Sequence, residues 1–348
     1  MVKMIELRRD WLGIEPLHFM IVDGTLIKAP TIKDLMAHQG YSYDKIQTVR
    51  SGHIVTFNPD SGNTSIKKYY ELPEGQIKDT LEEASKKIRK LLEQGATKIL
   101  QEVTALMLSG GIDSIITAYL AKQINPNVTA YTLSVRGYEA KNADLPFALR
   151  ASNKLGLKLN VVTIPSEKVK RCIDDVIYAA EDKRDYNIYS AVGAYLLGKR
   201  IAKENHKIIS CGEGPDEIFG SYNPWGSYDV SSEEAKNPEF RRKFVKRLEW
   251  NLSRGTKTLR YLGLRIVSPF LTREFIEYAV NLPAETVNIY EHRKGILAKA
   301  FEDVIPKEIL LRPKTRFQDG SGITKILKES GIDNKYIEKV YDRIFKKT

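Results

Sequence analysis

The segment Ser109-Gly110-Gly111-Ile112-Asp113-Ser114 constrains this chain most, because of what flanks it. The apolar run Thr104-Ala105-Leu106-Met107-Leu108 precedes it, and an apolar-periodic stretch follows (Ile115, Ile116, Ala118, Tyr119, Leu120). A strand, a glycine turn and a helix in that order make a site for a phosphate chain. Gly110 and Gly111 let the backbone approach an anion and turn N–H groups toward it. The helix start adds its positive dipole end and unpaired donors. Ser109 and Ser114 contribute hydroxyls, and Asp113 a carboxylate able to hold magnesium. Taken alone, the segment leaves a tight strand-to-helix turn with an Asp cap as the lesser alternative.

The surrounding pattern is of the α/β kind. From Thr104 onward, strands are expected at Val128–Val135, Leu159–Ile164 and Lys207–Cys211. Helices are expected around Pro146–Leu155, Ser166–Glu181 and Tyr189–Lys203. Such alternation implies a parallel sheet, whose ligands bind at the carboxyl ends of its strands. The Ser109 turn and the segment after Cys211 both fall at such ends. Residues 1–72 read instead as short strands and turns. One hairpin turns at Asp23-Gly24, and a second pair is formed by His53–Phe57 and Thr64–Tyr69. Pro73, Glu74 and Gly75 mark a boundary, after which Ile77–Gln94 carries helical periodicity through Leu81, Ala84, Ile88 and Leu91. The part beyond residue 211 reads as mostly helical.

Composition narrows the function classes. With 348 residues, 42% hydrophobic and 28% charged, the chain is long enough for two domains or one large α/β domain. No stretch resembles a signal peptide or could span a bilayer, so a cytoplasmic protein without membrane contact is expected. The two cysteines, Cys172 and Cys211, lie far apart, which argues for a reducing compartment and against a disulfide scaffold or structural zinc. The five histidines show no metal-ligand spacing and read as surface or loop residues. The net charge of +11 is scattered, and the densest stretch, Arg241-Arg242-Lys243 to Lys246-Arg247, reads as a solvated helix face. Nucleic acid is therefore not the favoured partner. Gly193, Gly198 and Lys199 imitate a Walker A motif, but Arg200 replaces its Ser or Thr, and they read as helix-packing glycines.

A second motif, Cys211-Gly212-Glu213-Gly214-Pro215-Asp216-Glu217-Ile218-Phe219-Gly220, follows the last strand. Three carboxylates within five positions are costly to hold together unless a cation or an amine sits among them. Asp216 is a partner for Asp113 at a magnesium ion, and Glu213 or Glu217 suits an amine nucleophile. An acidic helix N-terminus favoured by the dipole remains the plain alternative.

Together the two motifs resemble the synthetase domain of glutamine-hydrolysing asparagine synthetases. Ser268-Pro269-Phe270-Leu271 before Glu274-Phe275 is similar to that family's Val-Pro-Phe-Leu-Asp segment. Arg312-Pro313-Lys314 with Phe317, Asp319, Gly320 and Gly322 is similar to its Lys-x-x-Phe-x-Asp-Gly-x-Gly segment. The resemblance covers roughly residues 75–325. It implies a doubly wound parallel sheet of the adenine-nucleotide-binding ATP-pyrophosphatase type, with a small N-terminal β-rich segment (1–72), a synthetase domain (73–348) and a helical C-terminal part. It also implies ATP and Mg2+ as cofactors and a carboxylate and ammonia as substrates. Carried over by position, Ser109, Gly110, Gly111 and Ser114 hold pyrophosphate, and Asp113 and Asp216 ligate magnesium. Lys314 neutralises phosphate charge, and Glu213 orients or deprotonates the amine. Met107, Leu108, Cys211 and Gly212 line the nucleotide site, and Glu217, Tyr189 and Arg265 face the acceptor.

The pattern departs in two places. Arg9-Asp10, Leu12-Gly13-Ile14, Pro16-Leu17 and Ser51-Gly52-His53 resemble the later part of the family's glutaminase domain, yet no cysteine precedes Cys172. Without a thiolate there is no covalent glutamine hydrolysis. The segment is therefore expected to serve for packing, or to dock a separate glutaminase subunit on its exposed strand edges. Second, Tyr189 stands where bacterial asparagine synthetases carry an arginine, and Leu264–Ser268 lacks the Glu-x-Arg pattern, leaving Arg265 as the substitute grip for a second carboxylate. Aspartate is the leading acceptor. A different carboxylate or amine, as in the β-lactam-forming relatives, a tRNA-adenylating enzyme and a non-catalytic nucleotide-binding subunit stay as alternatives. Oligomeric state, a homo-oligomer included, is left open.

Overall fold

The computed structural model of the chain describes residues 3–138, 143–221, 237–290, 294–312 and 315–346. The N-terminal strands are β1 (Ile5–Arg8), β2 (His18–Val22), β3 (Thr25–Ala29), β4 (Gln47–Thr48), β5 (His53–Phe57) and β6 (Thr64–Lys68). They form two three-stranded antiparallel sheets, ordered β1-β5-β6 and β3-β2-β4. Both expected strand pairs are present. The β2–β3 turn places Asp23 and Gly24 at φ 48° and 75°, the left-handed pair that suits a two-residue hairpin. Leu7, Phe19, Val49 and Val55 are buried between the sheets.

This segment rests on the rest of the chain through a buried charge. Helix α1 (Ile32–Met36) follows β3, and its first N–H groups, Ile32 at 2.9 Å and Lys33 at 2.8 Å, donate to the Glu181 carboxylate. The Lys33 and Lys257 ammoniums lie 3.2 and 2.9 Å from the same carboxylate. Among the described histidines, His18 departs from the expected surface or loop setting. Buried on β2 beside the Thr48 hydroxyl, it is held down to about 3 by desolvation and then by the Lys257 charge, so it stays neutral and structural.

Helix α2 (Leu81–Ile99) starts later and runs further than its periodicity predicts. The Thr80–Glu83 capping box sets its start. Its buried stripe is Ala84, Ile88, Leu92 and Ala96, while Leu81 and Leu91 remain partly exposed. The α/β body then unfolds in the expected order: β7 (Ala105–Met107), α3 (Ile112–Ile124), β8 (Thr129–Val135), α4 (Asp144–Leu155), β9 (Lys158–Ile164), α5 (Ser166–Arg171), α6 (Ile173–Ala180), α7 (Asp185–Lys203), β10 (Ile208–Ser210) and the short α8 (Pro215–Ile218). A further strand, β11 (Arg265–Val267), lies in the part expected to be helical. Three residues are too short to show alternation, and β11 exists because it pairs in parallel with β10.

The sheet order is β11-β10-β7-β8-β9, all pairs parallel. Successive residues of a strand point to opposite faces. Accordingly Leu106 and Ala130 join one hydrophobic core with α2 and α3, and Ala105 and Tyr131 join another with α6 and α7. This is a doubly wound α/β fold, and chain order reverses between β7 and β10. The crevice at such a switch point is where ligands of open α/β sheets bind.

Gly193 and Gly198 pack as expected: added Cβ atoms would strike Phe317 and Leu259. The basic stretch departs from expectation. Arg241 is 1% exposed, donates to the Leu282 carbonyl and is lowered to about 10 by desolvation, with Arg242 adding to the effect. Arg242 is half-buried against Asn281. The helix from Pro238 to Val245 thus turns part of its basic face inward. Among the described residues, no helix is long and apolar enough to cross a membrane.

Candidate active site

Two loops leave the carboxyl ends of β7 and β10 and meet in the crevice between them. In the first, Gly110 has φ 77°, and a Cβ there would lie 2.5 Å from the Ala148 nitrogen, so only glycine fits against the start of α4. Gly111 opens α3. Ser114 Oγ donates to the Gly111 carbonyl (2.9 Å) and lies 3.2 Å from Ser109 Oγ, which aims two hydroxyls at the loop mouth. Asp113 sits in the first helical turn, 8% exposed.

In the second loop Gly212 packs directly on Asp113 and Ser114, and the Thr117 hydroxyl donates to the carbonyls of Asp113 (2.9 Å) and Cys211 (3.4 Å). Ser268, just after β11, donates to the Glu213 carbonyl at 2.8 Å and so fixes the loop from its other side. Gly214, at φ 114°, turns the chain into α8, which carries Asp216 and Glu217. Glu217 is buried and accepts from Asn251 Nδ2 at 2.7 Å.

The two carboxylates expected to share a metal do converge, on an ammonium. Lys294 Nζ lies 2.5 Å from Asp113 Oδ2 and 2.7 Å from Asp216 Oδ1, and Lys294 is 2% exposed. A second cation braces the first loop. Arg312 donates to the Ser109 carbonyl (2.8 Å) and to Asp144 Oδ1 (2.7 Å), with its guanidinium 4.1 Å over the Phe147 ring.

All this opens on a cavity of about 1330 Å3. Its walls include Met107, Leu108, Ser109, Gly111, Asp113, Ser114, Tyr189, Cys211, Gly212, Glu213, Asp216 and Glu217. Twelve expected residues therefore share one site. Gly110 does not reach the wall; it shapes the turn. Arg265 is exposed at the amino end of β11, away from the cavity, because the ligand edge of a parallel sheet is the other end. Tyr189 lines the cavity, but its hydroxyl donates to the Ile332 carbonyl at 2.6 Å. Lys314 lies outside the described residues. Neither cysteine is a nucleophile: both are buried, and burial pushes Cys172 up to about 12 and Cys211 higher still.

The sequence reading missed Lys294, Asp144 and the cavity arginines Arg184 and Arg254. None lies in either of the two motif loops, and Lys294, although it precedes Gly295, carries no carboxylate or hydroxyl pattern beside it that would mark a site. Arg312 stood in a matched segment without a role of its own.

The sequence pattern of the asparagine synthase family matches residues 87–267 and 239–332, most of the chain. Asparagine synthetase [glutamine-hydrolyzing] of Homo sapiens is 29% identical over 346 residues, covering 91% of this chain and 61% of that protein. The Gallus gallus protein of the same description is 28% identical over 352 residues, covering 93% and 62%. The chain thus spans about 61% of the length of the curated relatives it matches. Among solved structures it aligns with an NMN synthetase from Francisella tularensis at 17% identity and TM-score 0.35, covering 78% of this chain and 88% of that one. It aligns with a glutamine-dependent NAD+ synthetase from Acinetobacter baumannii at 15% and 0.35, covering 85% and 50%. With two motif loops meeting at the switch point and a family pattern running through both, the chain belongs to the asparagine synthase family.

Proposed function

We propose that this chain is an ATP-dependent carbon–nitrogen ligase that adenylates a carboxylate, aspartate foremost, and transfers ammonia to it. The observation that carries this reading is the convergence of Asp113 and Asp216 on one cationic point beside the Ser109–Ser114 loop. A substrate carboxylate attacks the α-phosphate of ATP, giving an acyl-adenylate and pyrophosphate. Ammonia then attacks the acyl carbon, and AMP leaves. Each step is helped mainly by positioning and by neutralising charge.

The donor set fits a magnesium ion. Among the described residues no three metal-ligating side chains cluster, but magnesium takes one or two carboxylates and completes its shell with phosphate oxygens and water. Asp113 and Asp216 would hold it, and it would neutralise the phosphate chain. Ser109, Gly111 and Ser114 offer the pyrophosphate hydroxyls and helix-start N–H groups. Met107, Leu108, Cys211 and Gly212 flank the nucleotide. Glu213 receives or orients the amine, and Lys314 belongs with the phosphates by its place in the matched segment. For the acceptor's second carboxylate, Arg254 replaces Arg265. It lines the cavity, held by the Asn251 carbonyl (2.6 Å) and close to the hydroxyl of Ser190, the neighbour of Tyr189.

The nitrogen source follows from the thiols. With both cysteines buried, these 348 residues offer no thiolate for glutamine, so ammonium is the donor to supply when they are assayed by themselves, and a separate glutaminase subunit is the partner we propose. The docking proposal for residues 1–72 is supported by β6, an edge strand exposed throughout, with Ile66 at 71%. The deciding test is AMP and pyrophosphate release from ATP with magnesium and ammonium over a panel of carboxylates. Release that depends on aspartate supports the full reading. Release with another acid keeps the chemistry and changes the acceptor, and silence across the panel sinks it.

A further inference from the structure

We propose that Lys294 is a resident counter-cation for Asp113 and Asp216. It keeps the pair in metal-binding register without nucleotide and yields its place only to a divalent cation that arrives with a phosphate chain. The inference rests on the nucleotide reading above and adds a rule for the order of binding. Because Nζ is 2.5 Å from one carboxylate oxygen and 2.7 Å from the other, those oxygens lie within about 5 Å of each other. Two carboxylates so close, in a partly buried cleft, repel strongly unless a cation sits between them. A magnesium ion held by the same two carboxylates would compete with the ammonium for that place.

Lys294 is well placed to stay there. It is the N-terminal flanking residue of the helix Gly295–Phe301, and its carbonyl accepts from Leu297 N–H at 2.9 Å. A Cβ on Gly295 would strike the Ile289 carbonyl, so the backbone under Lys294 is packed tightly. The anchored stem leaves only the side-chain torsions to move the ammonium.

Charge decides the order of events. The ammonium cancels part of the charge of the two carboxylates, so the pair attracts a dication less than two bare carboxylates would. A dication entering beside the ammonium would suffer repulsion at a few ångströms. A dication arriving with phosphate oxygens brings anions onto which the displaced ammonium can swing. Metal alone is therefore held weakly, and metal with a phosphate chain is held tightly.

The test uses Mn2+ as the metal and inorganic pyrophosphate as the phosphate chain, read by equilibrium dialysis of the full chain as the excess of Mn2+ over a protein-free chamber that holds the same pyrophosphate. For the wild type, Mn2+ alone binds weakly, and pyrophosphate tightens it by more than tenfold. In Lys294→Met, Mn2+ alone binds at least tenfold tighter than in the wild type, and the tightening by pyrophosphate shrinks. Lys294→Arg keeps Mn2+ alone weak. Tight binding of Mn2+ alone by the wild type overturns the proposal and needs no variant that folds. Unchanged Mn2+ affinity in a folded Lys294→Met also overturns it, while leaving the nucleotide reading intact if pyrophosphate still tightens Mn2+. Should pyrophosphate fail to bind the wild type with Mn2+, both readings fall together.

Discussion

A Cβ placed on Gly212 would lie 2.6 Å from the backbone nitrogen of Ser114, closer than real side chains come. The loop after β10 therefore lies in direct contact with the first turn of α3. That contact brings Asp216 to Asp113 although the two are a hundred residues apart in the chain. Gly212→Ala is expected to force the loops apart, at about 1–3 kcal/mol of stability and more than tenfold in ATP affinity. Thermal unfolding and nucleotide titration of the same variant check both; a variant with wild-type ATP affinity refutes the role assigned to the contact.

Asp113→Asn removes the carboxylate that meets Asp216 across Lys294. Loss of one preorganised charge of this kind lowers turnover by about 10²–10³-fold. AMP release under saturating substrates is the readout. Turnover within a few-fold of the wild type would mean the site works by other residues.

Glu181 provides a pH signature. Burial alone would raise its carboxyl, but Lys257 and Lys33 and two backbone N–H donors outweigh that and hold it at about 2. The unfolded chain takes up this proton first, near the ordinary carboxylate value, so stability falls as pH drops from about 4.5 toward 2. The loss attributable to Glu181 is about 3 kcal/mol. Glu181→Gln should lack this part of the acid limb and, with two lysines left against it, lose about 3–5 kcal/mol at neutral pH. Denaturant titrations of both proteins across pH 2–7 measure the difference; parallel curves would dismiss the clamp.

Arg312 joins the Ser109 carbonyl to Asp144, itself 1% exposed. Arg312→Ala takes the guanidinium away from a buried carboxylate, at up to about 3–5 kcal/mol. Arg312→Lys recovers little, because one ammonium cannot match a planar guanidinium bridging two acceptors. Unfolding free energies of Arg312→Ala, Arg312→Lys and Asp144→Asn decide it, and full rescue by lysine would count against the bridge.

Both thiols should be silent in the folded chain. An aromatic disulfide reagent is expected to react with neither Cys172 nor Cys211 until denaturant is added, and then with both. Glutamine should accordingly fail to replace ammonium as nitrogen donor for this chain alone. Rapid native labelling, or turnover on glutamine, would contradict the assignment.

What was legible in the residues was local. Ser109–Ser114 and Cys211–Gly220 announce themselves because a glycine turn, a helix start and a carboxylate must follow one another closely in sequence to work. The strands around them show themselves by apolar runs, and the Asp23-Gly24 hairpin by the positive φ its turn requires. The glycines of α7 were readable as packing residues because they fall within a helical period. The sequence by itself thus determined a parallel α/β sheet, the two site loops and the part of the cavity wall that those loops form.

Only the tertiary structure decided the rest, because those features depend on what lies opposite. β11 is a strand only by pairing with β10, and the same pairing leaves Arg265 at the wrong end of the sheet. Arg241 turned inward because the Leu282 carbonyl awaits it, a fact no charge count contains. Lys294 and Arg312 lie 181 and 168 residues from the aspartates they meet, Asp113 and Asp144. Neither lysine nor arginine has a spacing that betrays its partner. The energy of a charge is set by the charges and solvent within a few ångströms of it, and folding, not sequence order, chooses those neighbours.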